Sequence, residues 1–462
     1  LWLLFLVWLH CSRPREAALC GFAFGLGLFG TGASWVYVSL HDFGMMPAPL
    51  AAAATAFFCA YLALFPALAG SLQARLEVSP VAHSILLIPA LWVISEWMRS
   101  WLLTGFPWLV MGYSQVDTPL AAYAPLAGLY GVSLMLAIAS GSAAAAVVTP
   151  QKPWRIGLVA LAASILLGGV LMRDLEWSHA RGAPISVALI QGNIPQSLKF
   201  EPSQYASTLS TYRRLIESAD AKLTILPETA IPRFLDLVDP AYLESLVDLA
   251  RKRQADILAG APYRNERGEY FNGVVNLGQS GLQFAAKTHL VTLGEFVPPE
   301  FKWILGVLRI PLSDFTAGTG TRLLNAAGER VAITVCYEDA FGEELITQLP
   351  EAGLLANLSN VAWFGDSLAP GQHLQISRMR ALETARPMLR ATNTGVTAII
   401  DDRGHVTGQL PTFAEGVLQG SVQARAGTTP YVRVGNLIAL IACAVLLLAA
   451  LATLPRGTAS RN

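Results

Sequence analysis

Six runs of uncharged, apolar residues set the frame for everything else in this 462-residue chain: 17–40, 50–72, 80–95, 118–150, 156–172 and 434–455. An α-helix rises about 1.5 Å per residue, so crossing a hydrocarbon layer of ~30 Å takes about 20 residues, and most of these runs reach that length. A further apolar stretch at 1–10 has no initial Met and stops at Arg13 and Arg15. It reads as the remainder of a transmembrane helix whose beginning is truncated, because a signal peptide would carry its basic residues ahead of the apolar ones. The run at 80–95 is followed at once by Glu96 and Arg99, and the stretch from Trp101 to Met111 is expected to fold back as a re-entrant or interfacial piece.

Apolar residues make up 53% of the chain and charged ones 14%, so much of it belongs in lipid. The formal net charge is zero and no basic tail or stripe is present, which leaves no electrostatic case for nucleic acid as a partner. Short connections rich in Lys and Arg stay on the cytoplasmic side during insertion. Arg13 and Arg15, Arg75, Lys152 and Arg155, and Arg456 and Arg461 mark four such connections, with two crossings between successive marks. By the same parity the long polar stretch lies on the outer side. The expected division is a transmembrane helix bundle at 1–176, a polar domain at 177–432, and a carboxy-terminal transmembrane helix with a short cytoplasmic tail at 433–462.

The polar domain is long enough to bury its own core and reads as mixed α/β. Strands are expected at 185–191, 223–227, 256–260, 273–277, 283–286, 330–335, 353–358 and 395–401, and helices at 203–218, 241–253 and 372–386. Of the five cysteines, Cys336 alone falls in this domain. It ends the strand-like 331–335 and precedes Tyr337, Glu338 and Asp339. A lone thiol there is either an inert buried side chain or a nucleophile. A nucleophilic thiol needs a base and a cation or donors for the oxyanion that follows. Glu228 closes the apolar 223–227 and Lys287 closes 283–286, so both come at comparable strand ends. Either alone reads as a solvated surface residue; it is their joint occurrence that shifts the balance.

Leu226-Pro227-Glu228, Lys287-Thr288-His289-Leu290-Val291 and Cys336-Tyr337-Glu338 stand in the order of the Glu-Lys-Cys triad of the nitrilase superfamily. Within it the chain resembles the apolipoprotein N-acyltransferases, which join a nitrilase-like periplasmic domain to transmembrane helices. The stretches that carry this are 34–39, Gly105-Phe106-Pro107-Trp108, Gln191-Gly192-Asn193-Ile194-Pro195-Gln196, Leu293-Gly294-Glu295-Phe296-Val297-Pro298 and Asn360-Val361-Ala362-Trp363-Phe364.

The resemblance implies an α-helical transmembrane bundle plus an αββα sandwich in the bacterial inner membrane, with the catalytic domain facing the periplasm. Cys336 would be the nucleophile, Glu228 the general base and Lys287 the stabiliser of the tetrahedral intermediate. Glu295 and Glu338 would be supporting carboxylates, and Tyr337 would shape the acyl pocket or simply pack its ring. Trp363 and Phe364 would form a lid over a lipid entrance, with Phe106 and Trp108 as further substrate-binding aromatics, although such rings settle at a bilayer surface in any case. Phe200 stands where the family carries Trp, which keeps an aromatic wall and loses an indole donor. His289 reads as structural. No metal or cofactor is implied.

The implied reaction moves a fatty acyl group from a phospholipid, phosphatidylethanolamine, through a Cys336 thioester to the α-amine of a diacylglyceryl-modified cysteine at an apolipoprotein amino terminus. Two rivals are a membrane-tethered amidase or nitrilase acting on a small amide, and a non-catalytic lipid-binding protein of the same shape. The triad does not separate the first from a transferase; the apolar spans favour lipid. The second has no need of all three triad residues.

Overall fold

The computed structural model describes residues 1–292, 294–296 and 314–454. Leu293, Val297 and Pro298 of the quoted stretch, and Arg456 and Arg461 of the charge pattern, lie outside the described residues. The chain forms two compact units. One comprises Leu1–Ser34, Ala52–Leu175 and the carboxy-terminal segment from Arg433; the other comprises Trp35–Ala51 and Glu176–Val432. The tail of the first apolar run thus groups with the polar stretch rather than with the helices around it.

Among the described residues, four helices are long and apolar enough to cross a membrane: Ala48–Gln73, Pro80–Arg99, Pro119–Val148 and Lys152–Met172. Pro14–Gly32 with Val36–Phe43 makes a fifth if the pair is one broken span. The last run yields the shorter helix Leu437–Leu451, whose 15 residues rise ~22 Å. The run at 80–95 does not stop at Glu96, because the helix continues to Arg99 and turns both charges inward, where they are buried. Glu96 accepts the Met111 N–H at 2.8 Å, and Arg99 Nη1 donates to the carbonyls of Phe106 and Trp108 at 2.5 and 2.6 Å. Buried charges are tolerated when they meet polar partners, and here the partners are main-chain groups of the returning 101–111 stretch.

The second unit is built on two six-stranded sheets. In spatial order the first runs Gly416–Val422, Ile185–Gln191, Leu223–Ile225, Asp256–Arg264, Tyr270–Gly278 and Gln283–Ala286. The second runs Val406–Gln409, Ala398–Ile400, Met388–Thr392, Leu354–Ser359, Glu329–Val335 and Leu323–Ala326. In each, three central strands are parallel and the outer ones antiparallel. Successive side chains of a strand face opposite ways, and the burial follows that period. Val187, Leu189, Leu223 and Ile225 of one sheet share a core with Val331, Ile333, Val335, Leu354, Ala356 and Leu358 of the other. The alternate residues Ala188 and Ile190 pack on Leu209, Tyr212, Ile216 and Leu246, which come from helices Tyr205–Ser218 and Pro240–Lys252. Ala332, Leu355 and Met388 pack on Ala381 of helix Ala369–Thr384. The layers are therefore αββα, the arrangement expected from the resemblance.

Helix starts follow local chemistry. Pro240 sits in the first turn after Asp239, whose carboxylate accepts the Ala241 N–H at 3.0 Å. Helix Ala369–Thr384 ends at Ala385 in the left-handed conformation, two residues before Pro387, so Met388–Thr392 can begin as a strand.

Candidate active site

Glu228, Lys287 and Cys336 each follow a strand, where main-chain polar groups leave the ladder and side chains can converge. The structure brings the three together. The Lys287 ammonium is 1% exposed and lies 2.8 Å from Glu295 Oε2, 2.9 Å from Glu295 Oε1 and 3.6 Å from Glu228 Oε1. Asn272 Nδ2 donates to both carboxylates, at 2.8 Å to Glu228 Oε1 and 2.7 Å to Glu295 Oε1. The Asn360 N–H donates to Glu228 Oε2 at 2.9 Å and lies against the Cys336 thiol. Glu295 also accepts the Val291 N–H at 2.8 Å, which closes its own loop. Its side chain is 13% exposed and lies directly against the lysine.

Burial, and then the charge of Glu228, push the Cys336 thiol well above its ordinary range, against the pull of Lys287 and the Asn360 amide. The resting sulfur is a thiol that needs a base at the moment of attack. Burial acts against the Lys287 ammonium, but Glu295 and then Glu228 outweigh it and hold the lysine above its usual range. It stays a cation throughout any working pH. Such an arrangement can take a proton from sulfur and can offer positive charge to an oxyanion, which are the two requirements of acyl transfer through a thioester.

Two backbone features fit this site into the strand ends. Cys336 has φ 54°, in the left-handed region, which aims its side chain out of the strand line. The turn carrying Glu228, with Thr229 at φ 51°, rides directly over Gly260 of the neighbouring strand. A Cβ on Gly260 would come within 2.4 Å of the Pro227 carbonyl oxygen and 2.6 Å of the Glu228 Cα, so only glycine allows that approach.

Glu338 is fully buried and touches no reacting group. It accepts from the N–H groups of Thr288, His289 and Val335 at 2.7, 3.0 and 2.7 Å and pairs with Arg322 at 3.0 Å. It staples the chain after Lys287 to the chain before Cys336. Behind the nucleophile turn lies a second buried network. Asp339 contacts His373 at 2.7 Å, Ser377 at 2.5 Å and Arg390 at 3.5 Å; Arg390 donates to Asn357 Oδ1 at 2.6 Å; and Asn357 Nδ2 donates to the Cys336 carbonyl at 2.9 Å.

Among the aromatics, Tyr337 is half-buried and meets Phe341 edge-on at 5.0 Å between ring centroids. His289 stacks on Phe341 and bonds Glu344 at 2.8 Å, in keeping with a structural role. Trp363 and Phe364 lie in the second unit, where Phe364 meets Trp35 at 4.5 Å and Trp363 meets Phe43 at 6.0 Å. Phe106 and Trp108 belong to the first unit, stacked 6.2 Å apart, with Phe106 edge-on to Phe58 at 5.0 Å. Phe200 is half-buried at the end of the turn that follows Pro195. Among the described residues no group of three or more His, Cys, Asp and Glu side chains is placed to hold a metal ion.

Sequence reasoning missed Lys199, Asn272 and Gly260. Lys199 is 2% exposed, and its Nζ donates to the Glu228 main-chain carbonyl at 3.0 Å. Its one sequence signal is its place beside Phe200 in an already suggestive stretch.

A family model described as "Apolipoprotein N-acyltransferase N-terminal domain" matches residues 1–142, and one described as "Carbon-nitrogen hydrolase" matches residues 186–431. An apolipoprotein N-acyltransferase of Nitrosomonas europaea is 47% identical over 454 residues, 97% of this chain and 90% of that one. One of Methylococcus capsulatus is 46% identical over 449 residues, 96% of this chain and 88% of its own. Among solved structures, a CN-hydrolase superfamily protein of Xanthomonas campestris is 20% identical and covers 53% of this chain and 92% of its own, with a TM-score of 0.41.

Proposed function

The chain belongs to the apolipoprotein N-acyltransferase family, and from that premise we propose that its acyl transfer runs through a thioester on Cys336, with Glu228 as general base and Lys287 as oxyanion partner. It is a bacterial membrane enzyme of lipoprotein N-acylation, and its substrates are lipid and lipoprotein. Neither the tethered amidase nor the non-catalytic binder is favoured by any relative.

In the first half reaction Cys336 Sγ bonds to an ester carbonyl carbon of the phospholipid while its proton passes to Glu228. The oxyanion is held by Lys287. Its collapse breaks the carbon–oxygen bond to glycerol, and the leaving oxygen takes the proton back from Glu228, leaving a thioester and a lysophospholipid. In the second, the neutral α-amine of the diacylglyceryl cysteine attacks the thioester carbonyl, gives a proton to Glu228, and the carbon–sulfur bond breaks. Cys336 then regains its proton from Glu228. Phosphatidylethanolamine is the proposed donor. The proposed site division keeps 177–432 catalytic, on the periplasmic side of the inner membrane, which the positions of Arg13, Arg15, Arg75, Lys152 and Arg155 support.

The observation that carries this reading is the convergence of Glu228, Glu295 and the Asn360 amide on Lys287 and Cys336. The test is mass spectrometry of the purified protein after incubation with phosphatidylethanolamine alone. A hydroxylamine-labile fatty acyl adduct on Cys336, absent from Cys336→Ala, is expected. An unmodified Cys336 beside hydrolysis of a soluble amide would overturn it.

A further inference from the structure

Glu228 and Glu295 share a single lysine, Lys287. One ammonium against two carboxylates leaves an excess negative charge in a buried site, and that excess opposes loss of a proton from the Cys336 thiol. Lys199 supplies the missing cation. A lysine with no task in a turn would run its stem along the surface and keep its ammonium in water. Lys199 instead buries the ammonium, and among the described residues no carboxylate lies within 4.0 Å of it.

The segment that carries it grips Glu228 from both ends. Lys199 Nζ holds the main-chain carbonyl of Glu228 at 3.0 Å. Gln196, on the same turn, accepts the Asn360 side-chain N–H at 2.8 Å through Oε1, and the Asn360 main-chain N–H in turn bonds the Glu228 carboxylate at 2.9 Å. Among the described residues Gln196 Nε2 is buried without a protein partner, which leaves one more donor beside the same turn. We propose that Lys199 is a positioning residue of the acyl transfer, its buried ammonium balancing the second carboxylate of the site and clamping the Glu228 turn beside Cys336.

The groups facing Lys199 are Glu228 and Cys336. Those facing Cys336 are Glu228, Lys287 and Glu295, with Arg390 behind it held by Asp339, and His373 at its main chain. Burial draws Lys199 down to about 8, against the pull of Glu228 and Cys336, so the charge is present at neutral pH.

The inference rests on Cys336 as nucleophile, and its test needs no lipid. The full-length protein in detergent, as wild type, Lys199→Met and Lys199→Arg, is alkylated with iodoacetamide across a range of pH, and the Cys336 peptide alone is quantified by mass spectrometry. Below about pH 8, where Lys199 is charged, the methionine variant is expected to alkylate Cys336 roughly tenfold more slowly, as a one-unit rise of the thiol would give, with the difference closing as the pH is raised past 8 and the arginine variant near wild type at neutral pH. If the methionine variant does not fold, Lys199→Gln keeps a donor for the Glu228 carbonyl without the charge and gives the same comparison. A wild-type alkylation profile in the uncharged variant, whatever happens to acyl transfer, overturns the proposal and leaves Lys199 a strut. Acyl transfer surviving in Cys336→Ala is a different result, and it would remove the nucleophile reading itself.

Discussion

Lys287 gives its closest ion-pair contact, 2.8 Å, to Glu295, while Glu228 stands 3.6 Å from the same ammonium. The lysine is thus held mainly by Glu295, which leaves the Glu228 carboxylate less engaged with the cation. Glu295→Gln should release Lys287 toward Glu228, pairing the base with the cation that should meet the oxyanion. The expected result is a fall in kcat on the order of 10², the scale of one lost electrostatic contact in a transition state, with little change in KM for phospholipid. Steady-state acyl transfer to a lipopeptide measures both, and a loss confined to KM would count against this assignment.

Gly260 makes a second prediction that side-chain chemistry alone would not suggest. Its Cα faces the Glu228 turn so closely that an added Cβ would lie 2.6 Å from the Glu228 Cα. Gly260→Ala must displace the turn, whereas the sheet pairing on either side is main-chain hydrogen bonding that a methyl does not remove. Misplacing a reacting group by about 1 Å costs roughly 10² in rate, so the alanine variant should fold and fail in turnover. A wild-type kcat in this variant would show that the turn does not set the position of the base.

Legibility in the sequence followed the kind of signal. Glu228, Lys287 and Cys336 stood out because each follows a short apolar run, but Glu228 or Lys287 alone reads as a surface residue, and it was their joint occurrence with Cys336, in the order of the nitrilase triad, that drew the three together. Strand 388–392 was not, since Arg390 sits at its centre and helical periodicity had been carried through 386. That arginine is fully buried, and only the network with Asp339 and Asn357 makes it acceptable there. Strands Val406–Gln409 and Gly416–Val422 lie at the sheet edges and are largely exposed, so neither carries a continuous apolar run. Glu96 and Arg99 looked like the end of a span because charge is read as water; their partners are main-chain groups up to fifteen residues away. Lys199 has no periodic context at all, and its burial is a tertiary fact.

The network behind Cys336 should be structural in its effect. Asp339 is the buried counter-ion of Arg390, and it also receives His373 and Ser377. Asp339→Asn keeps the shape and removes the charge, which leaves Arg390 without its buried counter-ion at a fully buried site. Breaking a buried pair in this way costs about 3–5 kcal/mol, so thermal unfolding should begin many degrees lower. The Asn357 bond to the Cys336 carbonyl depends on the same cluster, so some activity should be lost even below the transition. Unchanged thermal unfolding would mean that Arg390 finds another partner.

Lys199 should behave in the opposite sense, and the contrast separates a functional charge from a strut. Its folded value of about 8 lies below the ordinary 10.5, because burial disfavours the ammonium. The unfolded chain therefore holds more protons between those two values, and the contribution of Lys199 to stability rises as pH climbs through that window. Below about pH 8 the full cost is present, ~3 kcal/mol against the folded state. Lys199→Met removes that cost and gives up one hydrogen bond to the Glu228 carbonyl, worth about 1 kcal/mol. At neutral pH the variant is expected to melt roughly 5 °C higher while transferring acyl groups more slowly, and the gain should shrink as the pH is raised past 8. Differential scanning of wild type and variant at neutral and alkaline pH measures this directly. A lower melting temperature at neutral pH would mean that the ammonium's single bond to Glu228 outweighs its desolvation, and that the buried charge is there for the fold.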